Sequence, residues 1–190
     1  MRIRVSILAT LTALVMSSAA VAVPIHNPAN GHFYELIDIG SVTWDTANAD
    51  AQTQHLGSHR GYLVSITSAE EQAWIVANIS PPFGSYIGGF QADKTNEPLG
   101  GWTWTSGEVW SYTNWAVNEP NNVNGGTEDC AQFWTNDGWN DIPCNNPSFV
   151  YTTYVVEYNG GAVIPALSTW ALLALALLLG WVGYRRVRIK

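Results

Sequence analysis

Between Glu119 and Asp141 the chain concentrates side-chain oxygens, with Glu119, Asn121, Glu128, Asn140 and Asp141 as the principal group and Asn122 and Asp129 beside them. Carboxylates and amide carbonyls form the donor set of a hard cation, and calcium takes roughly six to eight such oxygens in irregular geometry. Pro120 stands between Glu119 and Asn121. An X-Pro bond adopts the cis form at low cost, which would turn the two flanking side chains toward one point. Other patterns suggest chemistry less well. His55 and His59 have the i, i+4 spacing of zinc ligands, but Gly57 and Ser58 separate them at an expected helix end and no Glu follows His55. No serine sits in a nucleophile elbow and no glycine-rich loop has the form of a phosphate cradle. Paired carboxylates can cleave sugars, yet here they are better accounted for as calcium ligands than as catalytic acids, so no enzyme is expected.

Several elements must position these groups. Cys130 and Cys144 are the only cysteines, and in an oxidising compartment they are expected to pair. The bridge would pin Trp139-Asn140-Asp141 near Glu128-Asp129 and contribute on the order of 3 kcal/mol by closing the loop between them. Phe33 to Ile37 and Phe149 to Tyr158, rich in aromatic and β-branched residues, are expected strands bracketing the domain. Trp44 to Leu56 has helical composition and stops at Gly57. Ser68-Ala69-Glu70-Glu71 is a capping box opening a second helix to about Ile79, ended by Pro81-Pro82. Glu70 and Glu71 are thus helix-start charges. From Gly88 to Asn146, Gly, Asn, Pro and Trp dominate with little periodicity. That is an ordered loop region, because Trp102, Trp104, Trp110, Trp115, Trp134 and Trp139 offer too much burial area for disorder.

The two ends differ from the domain. Basic Met1–Arg4, a short apolar run and Ala20-Val21-Ala22 read as a signal peptide over residues 1–22, the other possibility being an uncleaved anchor. Leu167–Tyr184 lacks charge and as a helix would be roughly 27 Å long, enough to span a bilayer. Arg185, Arg186, Arg188 and Lys190 then place the C-terminus (185–190) in the cytoplasm and the domain outside. Between the ends only Arg60 and Lys94 oppose fifteen acids, a net of −13. Such a surface argues against nucleic acid and anionic membranes as partners and concentrates cations, though solubility alone also favours it.

Taken in order, Asn30-Gly31-His32-Phe33-Tyr34, Trp44, Gly61-Tyr62-Leu63-Val64-Ser65-Ile66, Tyr86-Ile87-Gly88-Gly89, Trp102-Thr103-Trp104, Asn114-Trp115, Glu119-Pro120-Asn121, Glu128-Asp129-Cys130, Trp139-Asn140-Asp141, Cys144 and Val155-Val156-Glu157 resemble a C-type lectin domain over residues 27–158. The resemblance implies an α+β, C-type lectin-like double-loop fold with two helices, small antiparallel sheets and a long calcium-binding loop region, to which the chain adds one C-terminal transmembrane helix (167–184). It assigns a principal calcium to Glu119, Asn121, Glu128, Asn140 and Asp141. The same residues would hold sugar hydroxyls, the Glu-Pro-Asn order going with mannose-type sugars. An auxiliary calcium would use Asp93, Glu97, Asn122, Glu128 and Asp129, weakened because Asn122 stands where two-site members carry Asp. The Glu119–Glu128 stretch is a residue longer than the commonest form, and Ala51 and Val156 occupy the positions of the family's other disulfide, where apolar packing could substitute. Sugar binding is one implied function; the alternative is a protein or matrix partner with calcium serving only to order the loops. Ile164, Pro165, Leu167, Ser168 and Trp170, with 159–166 as linker and sorting segment, resemble the IPTL-CTERM sorting signal of Gram-negative bacteria, departing from the usual pattern at Ala166 and Thr169. That implies an exosortase-type processing enzyme and display at the cell surface or extracellular matrix, a permanent membrane anchor being the other outcome.

Overall fold

Aromatic and β-branched residues at the two ends of the domain form its longest strands, and these pair with each other. The computed structural model describes residues 23–160. In chain order its elements are β1 (Ile25–His26), β2 (Phe33–Val42), α1 (Trp44–Ala51), β3 (His55–Leu56), β4 (His59–Leu63), α2 (Ala69–Asn78), β5 (Tyr86–Gln91), β6 (Trp102–Trp104), β7 (Cys130–Phe133), β8 (Trp139–Ile142) and β9 (Tyr151–Tyr158). β2 runs antiparallel to β9 from Phe33↔Tyr158 to Val42↔Tyr151, closing the domain on itself. β9 also pairs with β4 at Gly61↔Tyr158 and, in parallel, with β5 at Tyr86↔Tyr154. The sheet continues β5-β7-β8, with β6 on β5.

The period of two along each strand divides the core. Tyr34, Ile87, Ala131, Phe133 and Val155 pack with Ile75 and Ile79 at α2, whereas Tyr86, Cys130, Tyr154, Val156 and Tyr158 pack with Trp44, Ala47 and Ala51 of α1. Ala51 and Val156, where the resemblance would place a second disulfide, are both fully buried in the α1 cluster.

Three local expectations are corrected. α1 ends at Ala51, not Leu56, and His55–Leu56 instead pairs with His59–Arg60. The reason lies at Gly61, whose amide donates to Gln54 O at 2.8 Å. A Cβ there would stand 2.7 Å from Val156 Cγ2 and 2.8 Å from Ala51 O, so this glycine brings β4 against the helix end and pulls the chain out of helix. His55 and His59 therefore lie across a hairpin from each other and not on one helical face. At α2, Ser68 Oγ accepts from Glu71 N (3.1 Å) as expected, but the Glu71 carboxylate does not return to Ser68. It takes the Thr67 amide (2.7 Å) and hydroxyl (2.9 Å), turning inward as a buried group. Finally, the Gly88–Asn146 stretch contains β6, β7 and β8, strands too short for their periodicity to register.

The expected signal peptide (1–22), sorting motif from Ile164 to Trp170, transmembrane helix (167–184) and tail (185–190) all lie outside the described residues. Among the described residues no helix is long and apolar enough to cross a membrane.

Candidate functional site

β7 and β8 form the floor beneath the oxygen-rich loops. Their register sets Ala131 against Asp141 and Gln132 against Asn140, so Glu128-Asp129, just before β7, approach the end of β8. The Cys130–Cys144 disulfide, with Cα atoms 5.2 Å apart, fastens that corner. Above it, residues 114–116 run alongside Trp139, with Trp139 N donating to Asn114 O and Ala116 N to Trp139 O, each at 2.8 Å. Trp102, Trp104, Trp110, Trp115 and Trp139 pack on one another with ring centroids 4.3–6.3 Å apart, giving the loops a core of their own. Trp134 lies apart from them against Phe83, at 4.1 Å.

Four of the five principal candidates, Glu119, Asn121, Glu128 and Asp141, come together around the same loop. Asp141 is fully buried, and its carboxylate accepts the Asn121 amide (3.0 and 3.1 Å) and the Asn122 amide (2.8 Å). Glu128, also buried, accepts the Val123 amide (2.7 Å) and the Asn124 side-chain amide, while its own N–H donates to Asn122 Oδ1 (3.0 Å). Asn140 is buried beside Asp141 in β8. The Glu119-Pro120 bond is cis. Glu119 Oε2 is buried with no hydrogen-bond partner among the described residues. Burial, with Asp141 and Glu128 close by, pushes the Glu119 carboxyl up to about 7.

The auxiliary group is less convergent. Glu97 accepts from Asn122 Nδ2 at 2.7 Å. Asp129 is paired with Lys94, and Asp93 is exposed, its carboxylate accepting the Thr95 amide (2.9 Å), a bond that holds it below the usual range. Glu97 Oε1 and Asp129 Oδ1 are nevertheless buried without donors. Glu119 Oε2 in the principal group, and Glu97 Oε1 and Asp129 Oδ1 in the auxiliary one, are buried carboxylate oxygens without a donor among the described residues, the kind of ligand a calcium ion takes.

A second polar cluster eluded sequence reasoning. His32 Nδ1 lies 2.5 Å from Glu157 Oε1; Tyr34 OH donates to Glu71 Oε1 (2.5 Å); the Ser65 amide donates to Glu157 Oε2 (2.9 Å). Ligand atoms of His32, Glu71 and Glu157 fall within 4.8 Å of one another. These residues come from three separate elements with no common spacing, and Glu71 already had an explanation as a helix-start charge.

A β2–β9 pair closing the domain, a helix on each face and a long loop carrying clustered oxygen donors above a disulfide define a C-type lectin-like domain. The family model for the Lectin C-type domain matches residues 40–150, and that for the IPTL-CTERM motif matches residues 162–188. The chain belongs to the C-type lectin domain family and is a non-enzymatic carbohydrate-binding domain. It is 34% identical over 149 residues to a perlucin-like protein of Mytilus galloprovincialis, covering 73% of this chain and 88% of that one. It is 33% identical over 131 residues to an alpha-N-acetylgalactosamine-specific lectin of Patiria pectinifera, covering 64% of this chain and 73% of that one. Among solved structures, C-type lectin CEL-I of Cucumaria echinata superimposes with a TM-score of 0.56 at 26% identity, covering 69% of this chain and 92% of that chain.

Proposed function

We propose that Glu119, Asn121, Glu128, Asn140 and Asp141 hold one calcium ion and, with it, two adjacent equatorial hydroxyls of a mannose-type sugar. The observation that carries this is Glu119 Oε2, buried, without a donor, and crowded by Asp141 and Glu128. When bound, the ion supplies open coordination positions for both hydroxyl oxygens. Glu119 then accepts a hydrogen bond from one hydroxyl and Asn121 donates an N–H to the neighbouring hydroxyl, so the pair reads the direction of the diol. Asp141, tied to the Asn121 and Asn122 amides, keeps that pair above β8. The second set, Asp93, Glu97, Asn122, Glu128 and Asp129, is the weaker calcium site, since Lys94 and Thr95 already engage two of its carboxylates.

One relative is named for α-N-acetylgalactosamine. The Glu-Pro-Asn order of this chain is the reason for placing mannose first. Display is on the outside of a Gram-negative cell: signal peptide 1–22, domain 27–158, linker and sorting motif 159–166, transmembrane helix 167–184 and basic tail 185–190, with an exosortase-type enzyme cutting the tail. The IPTL-CTERM match supports export.

The test is retention of the protein on a panel of immobilised sugars with and without a chelator. Retention on mannose-type sugars that the chelator abolishes is the expected result. Calcium binding with no sugar retained would overturn it in favour of a protein or matrix partner with calcium only ordering the loops. Mass spectrometry of the mature C-terminus tests the processing step.

A further inference from the structure

The sequence holds three Asn-Gly pairs, Asn30-Gly31, Asn124-Gly125 and Asn159-Gly160, the dipeptide in which a backbone nitrogen most readily attacks the preceding side chain. The fold treats them unequally. Asn30 is engaged at both ends of its amide: Nδ2 donates to Tyr34 OH (2.7 Å) and Glu71 Oε1 (3.1 Å), and Oδ1 accepts the His32 amide (3.0 Å). Asn159 Oδ1 accepts from Tyr62 OH (2.6 Å), and Gly160 is packed so tightly that a Cβ on it would meet Gly31 O at 2.2 Å. All three asparagines are exposed, so the difference lies in their bonds and packing. Gly125 (φ +77°) has nothing within 4 Å of where its Cβ would stand, unlike Gly160; Gly31 (φ +80°) is equally open, so the Asn30 pair is set apart by its side-chain bonds alone. The Asn124 amide has one contact among the described residues, its Nδ2 donating to Oε1 of the buried Glu128. The Gly125 N–H donates to Val123 O within the same tight turn (2.8 Å), so cyclisation must release this bond and the one from Asn124 Nδ2 to Glu128.

We propose that Asn124 is a spontaneous deamidation site and that its conversion to aspartate retunes the calcium site through Glu128. The Gly125 nitrogen gives its proton to hydroxide and bonds to Asn124 Cγ. The Cγ–Nδ2 bond breaks, ammonia leaves with a proton drawn from water, and a succinimide remains. Water then opens the ring at either carbonyl, giving aspartate or isoaspartate; one water is consumed, one ammonia released and nothing is oxidised. In the aspartate product an N–H donor to Glu128 becomes a carboxylate against it. Two like charges in contact raise the free energy of the metal-free loop, and a cation beside Glu128 relieves both. Calcium affinity rises with the number of carboxylates around the ion. A protein that stays outside the cell for long periods would thus acquire a tighter site with age, without any enzyme.

The calcium half of this rests on the site proposed above, so the test separates the two. The full chain is aged at mildly alkaline pH and mapped by peptide mass spectrometry. Asn124 converts first, while Asn30 and Asn159 lag by at least severalfold; equal rates, or Asn30 or Asn159 leading, overturn the site assignment whatever calcium does. Calcium titration then compares the fresh chain with Asn124→Asp. The variant binds calcium several-fold more tightly, and an unchanged or weaker affinity overturns the coupling. Asn124→Gln, which keeps the amide but closes its ring far more slowly, is expected to hold a constant affinity through ageing; drift in this variant also overturns the coupling. Should the fresh chain bind no calcium at all, the principal-site proposal fails, and the peptide map alone still decides the deamidation site.

Discussion

Asp141 has two tasks in the same carboxylate. It is fully buried and accepts two backbone amides, so it shapes the Asn121-Asn122 turn before any ion arrives. Hydrogen bonds to a charged group contribute about 1.5–3 kcal/mol each, and a neutral replacement of the same shape weakens rather than removes them. Asp141→Asn is therefore expected to lower stability by about 1–3 kcal/mol in a chelator, read from the urea midpoint, and to abolish calcium-dependent sugar retention. Retention at the wild-type level would remove Asp141 from the proposed set. Glu119 and Asn121 carry direction where Asp141 carries position. Exchanging acceptor and donor with Glu119→Gln and Asn121→Asp should move preference from mannose-type toward galactose-type sugars on the same panel. An unchanged ranking means the sugar sits elsewhere.

At the scale of elements, two joints hold the strands and helices in register. One is Gly61, where β4 meets the end of α1. Gly61→Ala forces a methyl against Val156 Cγ2 and Ala51 O and is expected to cost about 1–3 kcal/mol in denaturant unfolding. The other is the cluster joining the approach to β2 (His32, Tyr34), the start of α2 (Glu71) and β9 (Glu157), with Glu108 also contributing to its field. Hydrogen bonding to Glu157 raises the His32 pKa above its ordinary 6.5, and burial raises Glu157 from 4.5 to about 7. Both shifts have the same sign. The folded state holds protons that the unfolded chain releases: the Glu157 contribution is complete below about 4.5 and lost by about 7, and that of His32 is complete below 6.5 and lost as pH rises through its raised value. The chelated domain should accordingly be more stable near pH ~6 than near pH ~8. Glu119 slopes the same way, so the deciding measurement is the difference between the parent chain and Glu157→Gln, whose pH dependence should be shallower. Equal slopes would show that the cluster does not carry the effect.

For the whole molecule, charge and covalent closure act together. With a net of −13 between its basic ends, the domain repels itself most where acids are densest, at the loops above β7 and β8. The Cys130–Cys144 disulfide and the tryptophan cluster oppose that repulsion. Replacing both cysteines by serine is expected to lower stability by about 3 kcal/mol and to weaken calcium binding, because the Glu128 side of the loop loses its tether to the β8 side. Thermal unfolding with calcium and with chelator, for parent and variant, checks this; an unaltered calcium-induced shift would show the bridge to be irrelevant to the site. A single exposed sugar site is weak, so display of many copies on one surface would supply the avidity.

Local chemistry in the sequence determined a good deal. The Glu119–Asp141 donors, the Ser68 cap, the terminal strands and the cysteine pair each depend on residue type and short spacing, which a linear chain displays directly. The order of the motifs along 27–158 carried the family as well. What only the tertiary structure decided depends on groups brought together from distant positions. α1 stops at Ala51 because Val156 and Gly61 arrive from elsewhere. Glu71 turns from a surface charge into a buried partner of Tyr34 because β2 and β9 lie beside it. The three Asn-Gly pairs, identical as dipeptides, differ in restraint: Asn30 by three side-chain bonds, Gly160 by close packing on Gly31, and Asn124 by a single side-chain bond beside an open glycine. Burial and hydrogen bonding across the fold set those outcomes, since packing partners distant in sequence decide which side chains keep their freedom and which lose it.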